Sequence, residues 1–91
     1  MAEADLGGKV YKVRVARLGE GKSGGYRVIV LFKSGERTFF QYAFSKADRG
    51  NIDQKELLFF KKLAKVKLNM SDNEITNAVK HGEFIEIQGA L

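Results

Sequence analysis

Residues 9–17, KVYKVRVAR, alternate strictly. Tyr11, Val13 and Val15 fall on one side and Lys12, Arg14 and Ala16 on the other, which is the period-two signature of a half-exposed strand whose outward face is cationic. Residues 18–24 form a glycine-rich connection, and residues 25–33 are apolar on both sides, which predicts a central strand covered on both faces. Lys33-Ser34-Gly35-Glu36 then turns the chain as a tight hairpin into a third strand, residues 37–44, rich in aromatic rings. Ahead of all this, residues 1–8 (MAEADLGG) show no period and read as an unstructured lead-in.

The period changes downstream. Asp53, followed by Glu56 three residues on, is a capping box. From there to about residue 68, Leu57, Phe59, Phe60, Leu63, Ala64, Val66 and Leu68 occupy half of a helical circumference and Lys55, Lys61, Lys62 and Lys65 the other half. This helix is expected to pack on the sheet. Ser71 with Glu74 is a second capping box, opening a short helix with Ile75, Ala78 and Val79 inward and Gly82 as its stop. Residues 84–87 are expected as a short extra strand. The pattern predicts a single α+β domain over 1–91, with a three- to four-stranded antiparallel sheet in residues 9–44 and C-terminal helices in 54–82.

Composition narrows the chemistry. A chain of 91 residues, 44% hydrophobic and 30% charged, is a globular domain rather than a disordered tail. Its longest apolar run, residues 28–32, is too short to cross a bilayer, and no charged segment leads into an apolar one at the N-terminus. A cytoplasmic protein with no membrane partner is expected. With no cysteine and a lone His81, neither a disulfide nor a structural zinc site is expected, and no metal or other cofactor is called for. His81 stands where the second helix ends and complements its dipole.

Charge is unevenly spread. Sixteen Lys and Arg against eleven Asp and Glu give +5 overall. Residues 9–27 hold Lys9, Lys12, Arg14, Arg17, Lys22 and Arg27 against Glu20 alone, six minus one, so this stretch carries a surplus equal to that of the whole chain. Such a patch suits a polyanion, nucleic acid first; a solvated basic surface is the other reading. Lys12 and Arg14, two apart on a strand, project from one face at roughly 6.5–7 Å, near the spacing of phosphates along an extended single strand. The glycines of residues 19–25 leave backbone unshielded for a nucleic-acid strand, with Lys22 reaching over it. The GKS within that loop is not a phosphate-binding loop, because the required upstream glycine is missing and a strand, not a helix, follows. Phe39, Phe40, Tyr42 and Phe44 are read as core before base-stacking surface, Tyr26 as either, Asp48-Arg49-Gly50-Asn51 as a turn, and the lysine face of the first helix as solvated.

YKVRVA at 11–16, GKSGGYR at 21–27, and FSKADRGNI at 44–52 followed by Glu56-Leu57 resemble the RelE/HigB toxins of type II toxin–antitoxin modules. The likeness runs from about residue 6 to residue 87. It implies a compact fold of the microbial RNase type, cleavage of mRNA in the ribosomal A site, and a cognate antitoxin, often a helix-turn-helix repressor. RNA is cut without metal when its 2′-hydroxyl attacks the adjacent phosphorus, which needs a base, cations for the phosphorane and an acid for the leaving 5′-oxygen. A lysine crowded by arginines can act as the base while the arginines stay charged. By the resemblance, Lys12 and Arg14 match the first-strand basic pair, Tyr26-Arg27 the Tyr-Arg opening the second strand, and Lys46 and Arg49 the basic motif after the third. Lys12 or Arg14 is expected to abstract the proton, Arg27 to stabilise the phosphate, and Lys9, Arg17, Lys22 and Tyr26 to contact RNA. Ala47 stands where better-known members carry an arginine. Members also carry a helix pair before the first strand, whereas this chain starts almost at the strand, so an uncovered side of the sheet and a homodimer are expected. Two other functions stay in view: a gyrase-inhibiting toxin of the ParE type, against which Lys12, Arg14 and Arg27 speak, and a non-catalytic module binding nucleic acid or antitoxin.

Overall fold

A computed structural model describes residues 2–15, 25–35 and 37–87. Four strands, β1 (Ala2–Gly7), β2 (Val10–Val15), β3 (Tyr26–Lys33) and β4 (Arg37–Ser45), precede two helices, α1 (Gln54–Lys67) and α2 (Asp72–Lys80). The sheet has the order β1-β2-β3-β4, each strand antiparallel to its neighbour. An α+β architecture with helices after the sheet is what the hydrophobic pattern predicts.

The expected lead-in is instead strand β1. Its pairing with β2 slips twice, between Ala2 and Ala4 and between Asp5 and Gly7, so no clean alternation is written into the residues. Its turn is built by backbone geometry: Gly7, Gly8 and Lys9 all take positive φ, and Asp5 Oδ1 accepts the Gly7 N–H at 2.9 Å.

Cross-strand partners share a face of the sheet. Val10, Ile29 and Leu31, fully buried, meet Phe60 and Ala64 of α1 and Leu68 at its C-cap, with Phe44 completing the cluster. The buried residues of α1 are Phe60 and Ala64, with Leu68 buried at its C-cap and Leu57 and Leu63 packed partly buried beside them, a face narrower than the half-circumference the sequence suggests. Phe59 and Val66 lie outside it, 57% and 63% exposed. The opposite face carries Tyr11, Val13, Val15, Tyr26, Val28, Val30, Phe32 and Phe40 by register. Covering of β3 on that side is only partial: Val30 is buried at 6% exposure, but Phe32 is 39% exposed and Phe40, on the neighbouring strand, 49%.

One irregularity decides which aromatic rings go where. The β3–β4 register shifts between Ile29 and Val30, so that Ile29 pairs with Tyr42 while Val30 pairs with Phe40, leaving Gln41 as an extra residue. Phe39, Tyr42 and Phe44 consequently share the α1 face, and Phe40 the other.

Both capping boxes form as expected, Asp53 with Glu56 on α1 and Ser71 with Glu74 on α2. Gly82, at φ +76, ends α2 after His81, whose Nδ1 lies 2.7 Å from Asn77 O. Residues 84–87 form no strand: the Glu83 and Phe84 amides fold back to donate to Ala78 O at 2.8 and 3.3 Å, and the Phe84 ring packs edge-on against Phe39. Neither described helix is long and apolar enough to cross a membrane.

Candidate RNA-binding face

Register brings the predicted cations together. Arg14 pairs with Arg27 and Arg27 with Phe44, forming one row across β2, β3 and β4; Lys12, Ile29 and Tyr42 form the next row on the same face. Neighbouring strands lie about 4.8 Å apart and rows about 6.5–7 Å apart, so Lys12, Arg14 and Arg27 occupy a footprint that a single nucleotide step can span. Their surroundings differ. Arg14 is exposed, Lys12 half-buried, and Arg27 is 4% exposed, the buried charged side chain among the described residues. A guanidinium does not lose its proton in a protein, so Arg27 sets a fixed positive charge under this face, where an arriving phosphate meets less competition from water than at an exposed cation.

The beginning of α1 closes one end of the two rows. Arg49, in the turn after β4, donates to Glu56 from Nη1 to Oε2 at 3.0 Å and from Nη2 to Oε1 at 2.5 Å. It also donates to Asn51 O from Nε and to Tyr42 Oη from Nη1, at 3.1 and 3.2 Å. Glu56 meanwhile accepts the Asp53 N–H of its own capping box at 3.0 Å. Hydrogen bonds from Arg49 first, and the Asp53 amide second, hold the Glu56 carboxyl below its ordinary range; Glu56 and then Tyr42 push Arg49 up from its own. Expected as a catalytic cation, Arg49 is thus engaged by a carboxylate. It sits 5.7 Å from the Phe44 ring centroid and 6.0 Å from that of Tyr42.

The other expected contacts do not converge here. Lys9 is in the β1–β2 turn, at the far end of β2 from Arg14, and Lys46 is exposed in the turn leaving β4. Tyr26 pairs with Val15 and Ser45, placing it on the opposite face from Arg27. Arg17 and Lys22, with the rest of the glycine-rich connection up to residue 24, lie outside the described residues. A groove of about 920 Å³ between β4, α2 and the segment after it includes Arg37, Phe39, Lys67, Ile75, Val79 and Phe84 in its lining, but none of the predicted site residues. There Lys67 donates to Gln41 Oε1 at 2.7 Å, and burial pushes its ammonium pKa down.

Tyr42 is the residue sequence reasoning passed over. Its alternation with Phe40 and Phe44 argues for core, yet it is 37% exposed and stands in the row of Lys12. The signal that could have found it is the Arg49–Glu56 spacing of seven residues, with Glu56 fixed in a helix cap.

Comparison with known proteins adds one match. A protein-family model described as the RelE toxin of the RelE / RelB toxin-antitoxin system matches residues 1–87. No curated protein and no solved structure matches the chain.

Proposed function

Because the chain belongs to the RelE toxin family and is the toxin of a toxin–antitoxin system, we propose that it is an endoribonuclease that cuts ribosome-bound mRNA in the cytoplasm. The observation that carries the reading is the pair of rows on the α1 face, with Lys12, Arg14 and Arg27 adjacent. An antitoxin partner comes with the family.

In the proposed reaction the 2′-oxygen of one nucleotide attacks the adjacent phosphorus, and the bond from phosphorus to the 5′-oxygen of the next nucleotide breaks. A 2′,3′-cyclic phosphate and a free 5′-hydroxyl result. Lys12 takes the base role toward the 2′-hydroxyl, while Arg14 and Arg27, whose guanidinium groups keep their charge, meet the non-bridging oxygens as charge builds on the phosphorane. Lys46, exposed in the turn leaving β4 and outside the two rows, is proposed to reach the leaving oxygen once RNA is bound, and Ala47 beside it offers no such group. Arg17 and Lys22 are proposed as further contacts to the RNA backbone. The proposed assembly is a homodimer through the opposite sheet face, which leaves both cationic faces outward.

The test is cleavage of a defined message on translating ribosomes, mapped to single nucleotides. Wild-type protein is expected to leave 5′-hydroxyl ends at codon-aligned positions, and Arg14→Gln, a change at an exposed side chain, to slow cleavage by 10²-fold or more. Arrest of growth with intact messages and broken DNA would favour the gyrase-directed reading; intact messages with undisturbed growth would leave a binding module.

A further inference from the structure

We infer that Tyr42 binds the RNA: its hydroxyl donates a hydrogen bond to an oxygen of the bound nucleotide, in a direction set by Arg49 and Glu56. This rests on the RNA-cleaving reading of the face and adds to it a residue that reading does not use.

The hydrogen-bond inventory points this way. Arginine has only donors, so in the 3.2 Å contact from Arg49 Nη1 the Tyr42 oxygen is the acceptor. Its own proton must then point elsewhere, and among the described residues nothing accepts it. A phenol that accepts from a cation is also a stronger donor, because the bonds polarise one another. The direction is fixed from two sides. Arg49 is gripped by both oxygens of Glu56, and Glu56 is itself pinned by the helix cap at Asp53. The Tyr42 ring stacks between Phe44 and Phe60, each centroid 6.0 Å away and the planes 29° and 30° apart.

A ring needed only for packing has no use for a hydroxyl held in this way, and phenylalanine already fills the neighbouring places in the stack. What the arrangement offers an incoming molecule is one aimed donor on a residue 37% exposed, and Lys12 in the same cross-strand row. The Arg14–Arg27 row lies one step of about 6.5–7 Å along the face, close to the repeat of an extended nucleotide strand. The ligand chemistry is therefore an acceptor oxygen of a nucleotide adjoining the phosphate at Arg27. A phosphate oxygen, a ribose oxygen and a base carbonyl all supply it.

The experiment measures kcat and KM for cleavage of a defined message on ribosomes by wild type, Arg14→Gln, Tyr42→Phe, Glu56→Gln and the Tyr42→Phe/Glu56→Gln double variant. Thermal midpoints are measured alongside. Tyr42→Phe is expected to lower kcat/KM about tenfold, the effect of one hydrogen bond, with its midpoint unchanged. Glu56→Gln is expected to lower it as well, and the double variant to be no worse than Tyr42→Phe, because Glu56 acts through the tyrosine. Messages carrying a single 2′-deoxy sugar, a methylphosphonate or a base lacking its carbonyl identify the oxygen: it is the one whose loss slows wild type but not Tyr42→Phe. Tyr42→Phe cutting as fast as wild type while Arg14→Gln is slow would overturn the assignment and leave the endonuclease reading standing. If wild type leaves the message intact, the endonuclease reading itself falls, and the assignment with it.

Discussion

At the scale of single residues, the tightest constraint is in the β1–β2 turn. Gly8 has φ +60, and a Cβ placed there would come within 3.0 Å of Lys61 Cγ on α1. Lys61 lies over the turn, so an added methyl meets both a strained backbone and a side chain that must give way. Gly8→Ala is expected to cost about 1–2 kcal/mol in chemical denaturation, with the greater part from the backbone, and Gly8→Asn, which tolerates that region better, to cost less. Arg27 is different in kind. Sequence showed it as one of several cations after a glycine-rich loop; only register and burial separate it from Lys46 or Lys9. A strand pattern tells which residues alternate, but which of two faces receives the helix depends on contacts made tens of residues away.

At the scale of elements, α1 is anchored at its start by a carboxylate with two tasks. Glu56 completes the cap of its own helix and holds Arg49 in the preceding turn. Since its folded pKa is depressed from 4.5, its contribution is fully present above the unfolded value and disappears as pH falls through the lower, folded one. Glu74, depressed by the Ser71 amide and hydroxyl, acts in the same direction at α2. Thermal midpoints of wild type should therefore drop as pH is lowered below about 4.5, and Glu56→Gln should flatten that slope while lowering the midpoint at neutral pH. Asp53→Ala removes the other half of the box and is expected to cost about 1 kcal/mol. These caps were plain in the sequence because a capping box is local, spanning four residues. Strand β1 was not, since a strand with two register slips leaves no period to detect, and neither was the failure of residues 84–87 to pair, which begins with the Glu83 and Phe84 amides turning back to Ala78.

The whole molecule has two unlike faces. One holds α1 and the cations; the other exposes Val15, Tyr26, Phe32 and Phe40 and has no charged residue at its paired positions on β2, β3 and β4. Two copies carrying +5 each can meet over β2, β3 and β4 without bringing cations together, with Asp5, paired with Tyr11, on the β1 side of that face. Eight residues of β3 at about 3.3 Å each, across three strands at about 4.8 Å, give a patch on the order of 380 Å² per copy. That is below the roughly 800 Å² per partner of a standard interface, so the proposed homodimer is expected to be concentration-dependent. Sedimentation velocity should show a monomer–dimer equilibrium that Phe40→Glu shifts to monomer, with mRNA cleavage retained; a monomer at every concentration contradicts it. The fold class was legible because hydrophobic periods report on elements one at a time. The pairing of Lys12 with Tyr42 across Ile29 was not, because it belongs to the sheet rather than to any strand.

Gln41 deserves a last consequence. By sitting unmatched opposite Ile29 and Val30 it acts as a one-residue phase shifter for everything between it and the start of α1. Were it taken into the ladder, with Gln41 opposite Ile29, the inside-outside rhythm of the following residues would invert: Tyr42 and Phe44 would turn toward the other side, Ala43 and Ser45 would face the helix, and Arg49 would lose the ring it holds. Deletion of Gln41, which leaves Phe40 opposite Val30 and Tyr42 opposite Ile29, is thus expected to keep every ring on its present face, whereas pairing Gln41 into the ladder would not.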